Sequence, residues 1–217
     1  MKKIHYILLA AIAFSFASSC KKFDDLNTNP DVPTSVSPDM LATSVLKSTY
    51  RFWNPNPTDW GTAQLWSKHC TNLQNNPNPY QYYSSYYPYG GFGGAQNITI
   101  LNRMVDFAQG NPMLPSYEGL ALFLKASYGF SATLDMGDIP YSEAGKAEEG
   151  ITQPKYDKQA DVFVNVLADL KAAEAKFAQG VNFTGDIMLG GKADKWRKLC
   201  NAMQLRVLQT ISKKITP

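Results

Sequence analysis

Histidine is almost missing from this chain. Of two residues, His5 lies among the first twenty, which leaves His69 for everything after. One imidazole excludes a multi-histidine metal centre and argues against a catalytic triad. No G-x-S-x-G is present. Gly185 to Ala193 approaches a phosphate loop and fails, because Gly191 stands where lysine is needed and no Ser or Thr follows Lys192. Gly91-Phe92-Gly93-Gly94 lacks the third glycine and the preceding strand of a dinucleotide loop. Asp135 and Asp138 are two carboxylates, too few for calcium, and read as capping or turn residues. These absences leave no cofactor and no metal to expect. His69 beside Cys70 reads as a helix-end imidazole and a packed thiol rather than a nucleophile pair. Charge of one sign is also lacking. Without Lys2 and Lys3, 19 basic side chains face 18 acidic ones, a net +1 that gives nucleic acid nothing to bind.

Past residue 16 no apolar run is long enough to span a bilayer. The run before it, Ile7 to Phe16, follows Lys2-Lys3 and ends in Ala17-Ser18-Ser19 and Cys20. Basic start, short apolar stretch and small residues make a secretory signal over residues 1–19. A cysteine at that point predicts lipidation of Cys20, although Ala17 replaces the usual aliphatic residue of a lipobox. Residues 20–37, rich in Pro, Thr, Ser and Asn, read as a tether. Cys70 and Cys200 read as free buried thiols, with a disulfide left open.

The rest is large enough for one domain with a core, residues 38–217. Its periodicity is helical. Ser37-Pro38 opens a helix carrying Leu41, Val45, Thr49 and Phe52. A second helix is predicted over Thr58 to Leu73. Ile98, Leu101, Val105 and Ala108 mark a third, closed by Gly110. A fourth begins at Ser116, with Leu120, Ala121, Leu124 and Tyr128 widened by Phe123, Phe130 and Leu134. A helix apolar on all sides belongs at the centre of a fold. A fifth follows Asp157, burying Phe163, Val166, Leu167, Leu170 and Phe177, with Asp169, Lys171, Glu174 and Lys176 as a solvated face. The last holds Trp196, Leu199, Cys200, Met203, Val207 and Ile211. No strand pattern is visible. The fold class expected is mostly α, as tetratricopeptide-like helical hairpins with long loops, although no strict repeat period appears.

One segment breaks the pattern. Residues 74–94 have no helical period and hold half of the twelve tyrosines within ten positions, 80–89. Tyr80, Tyr82 and Tyr83 stand beside Asn72, Asn75 and Gln81. Rings cover the apolar faces of sugars while amides and phenols bond their hydroxyls, so these six are the candidate ligand-binding residues. The alternative is that the rings pack the loop onto the scaffold or a partner. Trp60, Trp66 and Trp196 follow helical spacing and read as core.

Gly137 to Ala144, reading G-D-I-P-Y-S-E-A, resembles a stretch of the SusD/RagB family. Pro154-Lys155-Tyr156-Asp157 with the helix after it, and Asp186 to Gly191 leading to Lys195-Trp196, Asn201 and Leu205-Arg206, resemble its next motifs in order. The charged tract after Cys20 is similar to the surface-export tract of such lipoproteins. The resemblance implies a cell-surface lipoprotein of the outer membrane, anchored by lipid. It would bind an oligosaccharide or peptide and deliver it to a SusC-like TonB-dependent transporter, without catalysis. It implies further that the chain holds the N-terminal part of that domain and is cut short at its C-terminus. A structural lipoprotein without a ligand, or a non-functional fragment, remains the alternative.

Overall fold

The computed structural model describes residues 36–49 and 94–213. Cys20, the tether, the helix expected over Thr58–Leu73, Cys70 and the six candidate binding residues lie outside them.

Five α-helices form among the described residues: α1 (Pro38–Thr49), α2 (Gln96–Phe107), α3 (Leu114–Met136), α4 (Gln159–Phe177) and α5 (Ala193–Ile211). Neighbours in sequence pack on one another, α1 on α2, α2 on α3, α3 on α4 and α4 on α5. That is the order of helical hairpins and agrees with the mostly helical expectation. The sole extended pairing among these residues is an isolated antiparallel bridge, Ile139 with Asp157.

Proline opens α1 at the position where a missing N–H costs nothing. Ala42, Val45 and Leu46 are its buried face, with Leu41 only partly covered. In α2 the buried residues are Ile98, Leu101 and Met104. The central helix, α3, starts at Leu114, two residues earlier than expected, because Pro115 fits its first turn. Tyr117, Leu120, Phe123, Leu124 and Phe130 are buried around it. Leu134, expected in the same band, is 45% exposed.

The middle of the core is aromatic. Trp196 of α5 stacks on Phe177 of α4 with centroids 5.8 Å apart, and meets Phe123 of α3 edge-on at 5.4 Å. Phe183, from the loop between α4 and α5, packs against both Phe177 and Trp196. Edge-on and stacked pairs add about 0.5–1.5 kcal/mol each beyond area burial. Gly129 lets the next layer close over α3, since a Cβ there would stand 2.2 Å from Cε2 of Tyr141.

A candidate binding cleft at the root of the tyrosine-rich segment

Tyr80, Tyr82, Tyr83, Asn72, Asn75 and Gln81 lie outside the described residues, but Thr49 and Gly94, which flank positions 50–93, are described. Thr49 ends α1 and Gly94 precedes α2. Both meet Tyr128 of α3. The Thr49 hydroxyl shares a hydrogen bond with the Tyr128 hydroxyl. Asn97 Nδ2 donates to the same oxygen at 3.2 Å. Gly94 lies so close that a Cβ would fall 2.5 Å from Cδ1 of Tyr128. Burial raises the Tyr128 phenol above its ordinary range, partly opposed by the Thr49 and Asn97 bonds, so it is a neutral post. Thr49 and Gly94, the described residues on either side of positions 50–93, therefore stand at one place on the scaffold.

Beside that post lies a cleft of about 550 Å³. Phe123 and Phe130, both buried, form its apolar base, with Leu199 and Met203 of α5. Ser48, Thr49, Asn97, Ser127, Tyr128 and Ser131 supply hydroxyls and one amide. Arg206 is the single charge among its described lining residues, with its guanidinium carbon 5.6 Å from the Phe130 ring centroid. Leu134 also lines this cleft, which is why its side chain is not covered. An apolar wall for C–H groups, with Leu134 its exposed part, and neutral hydrogen-bonding groups for hydroxyl edges suit a saccharide.

At about 100° per residue, Glu118, Ala121 and Lys125 fall on the opposite face of α3 from Phe123, Ser127 and Phe130. A second cleft, about 580 Å³, opens there toward α2 and the 3-10 turn Ala147–Glu149. Its lining carries Asp106, Glu118, Lys125, Lys146, Glu148, Glu149 and Lys176. Most of these charges are engaged. Lys176 pairs with Glu118, Lys125 with Asp169 at 3.1 Å, and Glu148 with Arg103 at 2.9 Å. The expectation of a solvated α4 face is corrected for three of its four residues. Asp169, Glu174 and Lys176 pin α4 to Lys125, Arg197 and Glu118 on neighbouring helices. Lys171 alone of the four is exposed.

The motifs that single out this sequence build the scaffold. Asp138 Oδ1 accepts the Gln159 N–H at 2.8 Å, so it caps α4 across the loop, a capping role like the one expected of it. Asp157 accepts the Tyr141 and Ser142 N–H groups at 3.1 and 2.6 Å and the Ser142 hydroxyl at 2.9 Å. Burial opposes its charge, but the bonds from Ser142 and Tyr141 and the charge of Lys155 outweigh it. Its carboxyl is held below the usual range. The Tyr141 hydroxyl donates to Asp169 at 2.7 Å, and burial with that carboxylate pushes the phenol far above its ordinary value. Asp186 accepts N–H bonds from Met188, Leu189 and Gly191, and from Trp196 Nε1 at 2.7 Å. It thereby ties the loop to the aromatic core. Gly191 adopts φ +70° against the Phe183 carbonyl, where any side chain would clash. Cys200 is a buried free thiol, its pKa pushed up to about 12 by burial and then by Glu174.

Among the described residues no three His, Cys, Asp or Glu side chains gather as metal ligands, and no helix is long and apolar enough to cross a membrane. The sequence profile described as SusD-like, starch-binding and associating with the outer membrane, matches residues 30–216. A SusD homologue from Bacteroides fragilis matches with TM-score 0.69 and 33% identity, over 82% of this chain and 37% of that one. A second from the same species matches with TM-score 0.63 and 32% identity, over 82% and 36%. An outer-membrane protein of Bacteroides vulgatus, described as involved in nutrient binding, gives TM-score 0.59 and 28% identity, over 82% and 37%. The chain spans little more than a third of the length of these structures. A search of curated sequences finds no match.

Proposed function

Since the chain belongs to the SusD-like family, we propose that it is a cell-surface lipoprotein that captures oligosaccharide for a SusC-like TonB-dependent transporter. Residues 1–19 direct export, Cys20 carries the lipid, and residues 20–37 tether the helical domain, which begins at residue 38. Capture does not involve turnover of the ligand, and the protein is not an enzyme. The binding surface is the tyrosine-rich segment together with the cleft at its root. Tyr80, Tyr82 and Tyr83 stack on sugar faces, and Asn72, Asn75 and Gln81 bond the edges.

One observation carries this reading beyond the family. The segment richest in rings and amides ends at Gly94, which packs on Tyr128. It joins the scaffold beside a cleft whose neutral hydroxyls and amide suit the same ligand. Rings and hydrogen-bonding groups from two separate stretches of chain then serve one occupant.

The test is calorimetric titration of the purified chain with starch-type and other oligosaccharides, alongside Tyr82→Ala and Tyr83→Ala. Each lost ring should cost about 0.5–1.5 kcal/mol of binding and leave the melting curve in place. Lower melting with undiminished affinity would instead make the rings packing residues, and no binding by any saccharide would end the proposal.

A further inference from the structure

The geometry points to a ligand that carries a carboxylate: a uronate-bearing oligosaccharide, whose acid group is held by Arg206 in the cleft beside Tyr128. This deepens the glycan-binding reading above and rests on it.

Three arginines fall among the described residues. Arg103 sits against Glu148 at 2.9 Å, and Arg197 is bonded to Glu174. Arg206 has no carboxylate partner among those residues. It lies instead over the Phe130 ring, with its guanidinium carbon 5.6 Å from the centroid. A ring face orients the guanidinium but leaves its in-plane N–H donors free. Those donors form a planar fork that fits a carboxylate with two parallel bonds. Around them the described residues of the cleft lining add no acidic side chain.

The remaining lining sets the rest of the ligand. A simple organic acid would use the arginine and nothing more. Here Ser131 and the acceptor oxygens of Ser127 and Asn97, whose donors bond the Phe123 carbonyl and Tyr128, offer neutral partners for hydroxyls, and Leu134, 45% exposed, offers an apolar surface for C–H groups. The space, about 550 Å³, lies within the range of roughly 300–1,000 Å³ usual for small-ligand sites. An acid group, several hydroxyls and an apolar ring face occur together in a uronate sugar. The charged cleft across α3 fits a carboxylate less well, since Lys125 and Lys176 already hold Asp169 and Glu118 and its remaining cation, Lys146, shares the lining with Asp106 and Glu149.

The experiment titrates the full chain with an oligogalacturonate and with its methyl ester, which keeps the sugar backbone and removes the charge. The acid should bind about tenfold tighter or more, the scale of a hydrogen bond to a charged group. In Arg206→Gln the two affinities should converge. Arg206→Lys should keep part of the preference, and Lys171→Ala, an exposed control outside the described cleft lining, should keep all of it. Equal binding of acid and ester by the parent chain would overturn the inference and leave the glycan reading standing. So would a preference that survives in Arg206→Gln. Binding of a peptide through its terminal carboxylate, lost in Arg206→Gln while no saccharide binds, would overturn both.

Discussion

On one face of α3 a cleft of about 580 Å³ has seven charged side chains among its described lining residues; on the other, a cleft of about 550 Å³ has one. By size the two are alike. By charge the first looks the better binding site. The partners reverse that order. In the first cleft Glu118, Lys125, Glu148 and Lys176 are engaged with protein groups of opposite sign. A ligand that uses those four must break an existing pair to gain a new one, so little net free energy is left from them, and Asp106, Lys146 and Glu149 alone of the seven hold no opposite charge among the described residues. In the second, Arg206 holds no carboxylate among the described residues, and the other lining groups are neutral. What a cleft can bind depends on which donors and acceptors remain unengaged, and the count of charges is a poor guide to that.

The comparison assumes that α3 is a rigid wall shared by both clefts. The largest expected effect tests that. Leu124 is fully buried in α3, so Leu124→Ala should cost about 2–5 kcal/mol of stability, the range for a large-to-small core change. Urea denaturation followed by tryptophan fluorescence would measure it. A midpoint within error of the parent would show that α3 is not the common wall, and the two faces could then no longer be compared as sides of one element.

A smaller effect should separate the two sides by pH. The charged cleft is walled by Ala144 to Glu149, and that loop is held by Asp157 through Tyr141 and Ser142. The Asp157 carboxyl has its pKa lowered in the fold. Its contribution is therefore fully present above the unfolded carboxylate value, and is lost as pH falls through the lower, folded value. Acidification should loosen residues 137–157 first, with the Tyr128 side unchanged. Asp157→Asn should lower stability at neutral pH and remove that part of the acid dependence. Hydrogen exchange across the acid range would read both. Equal loosening on both sides of α3 would mean that Asp157 does not act locally.

How much of this was legible follows from where the partners sit in sequence. The all-round apolar run of α3 announced a central helix, because burial on every side needs only local residues. Gln159 to Phe177 announced its buried face for the same reason. Its polar face misled, because Tyr141, Glu118 and Arg197, which engage Asp169, Lys176 and Glu174, are 23 to 58 positions away. Helical spacing cannot show such partners. Tyrosine crowding at 80–89 was visible as composition. The cleft was not, since Asn97, Tyr128, Phe130 and Arg206 come from three helices and each alone reads as an ordinary helical residue. Tyr128 itself was read as part of the core stripe. Leu134 was misassigned because the apolar period of α3 continues past the point where its neighbours cover it.

The smallest expected effect asks whether the charged cleft is as self-satisfied as its contacts imply. Glu118 and Lys176 pair across α3 and α4, with side chains 28% and 37% exposed. A pair so open to water is screened and weak, so a double-mutant cycle with Glu118→Gln and Lys176→Met should give about 0.2–1 kcal/mol of coupling. Added salt should shrink that coupling, because exposed charges are screened within about 10 Å at 0.1 M. The hydrogen bonds around Tyr128 involve no ions and should keep their contribution in the same buffers. Zero coupling at low salt would show that these two charges are held by solvent and not by each other. They would then be free for a ligand, and the two faces of α3 would differ less than their contacts indicate. Coupling that survives high salt would point the other way, to a pair desolvated enough to act as fixed scaffold. The contrast with the neutral cleft would then be sharper still.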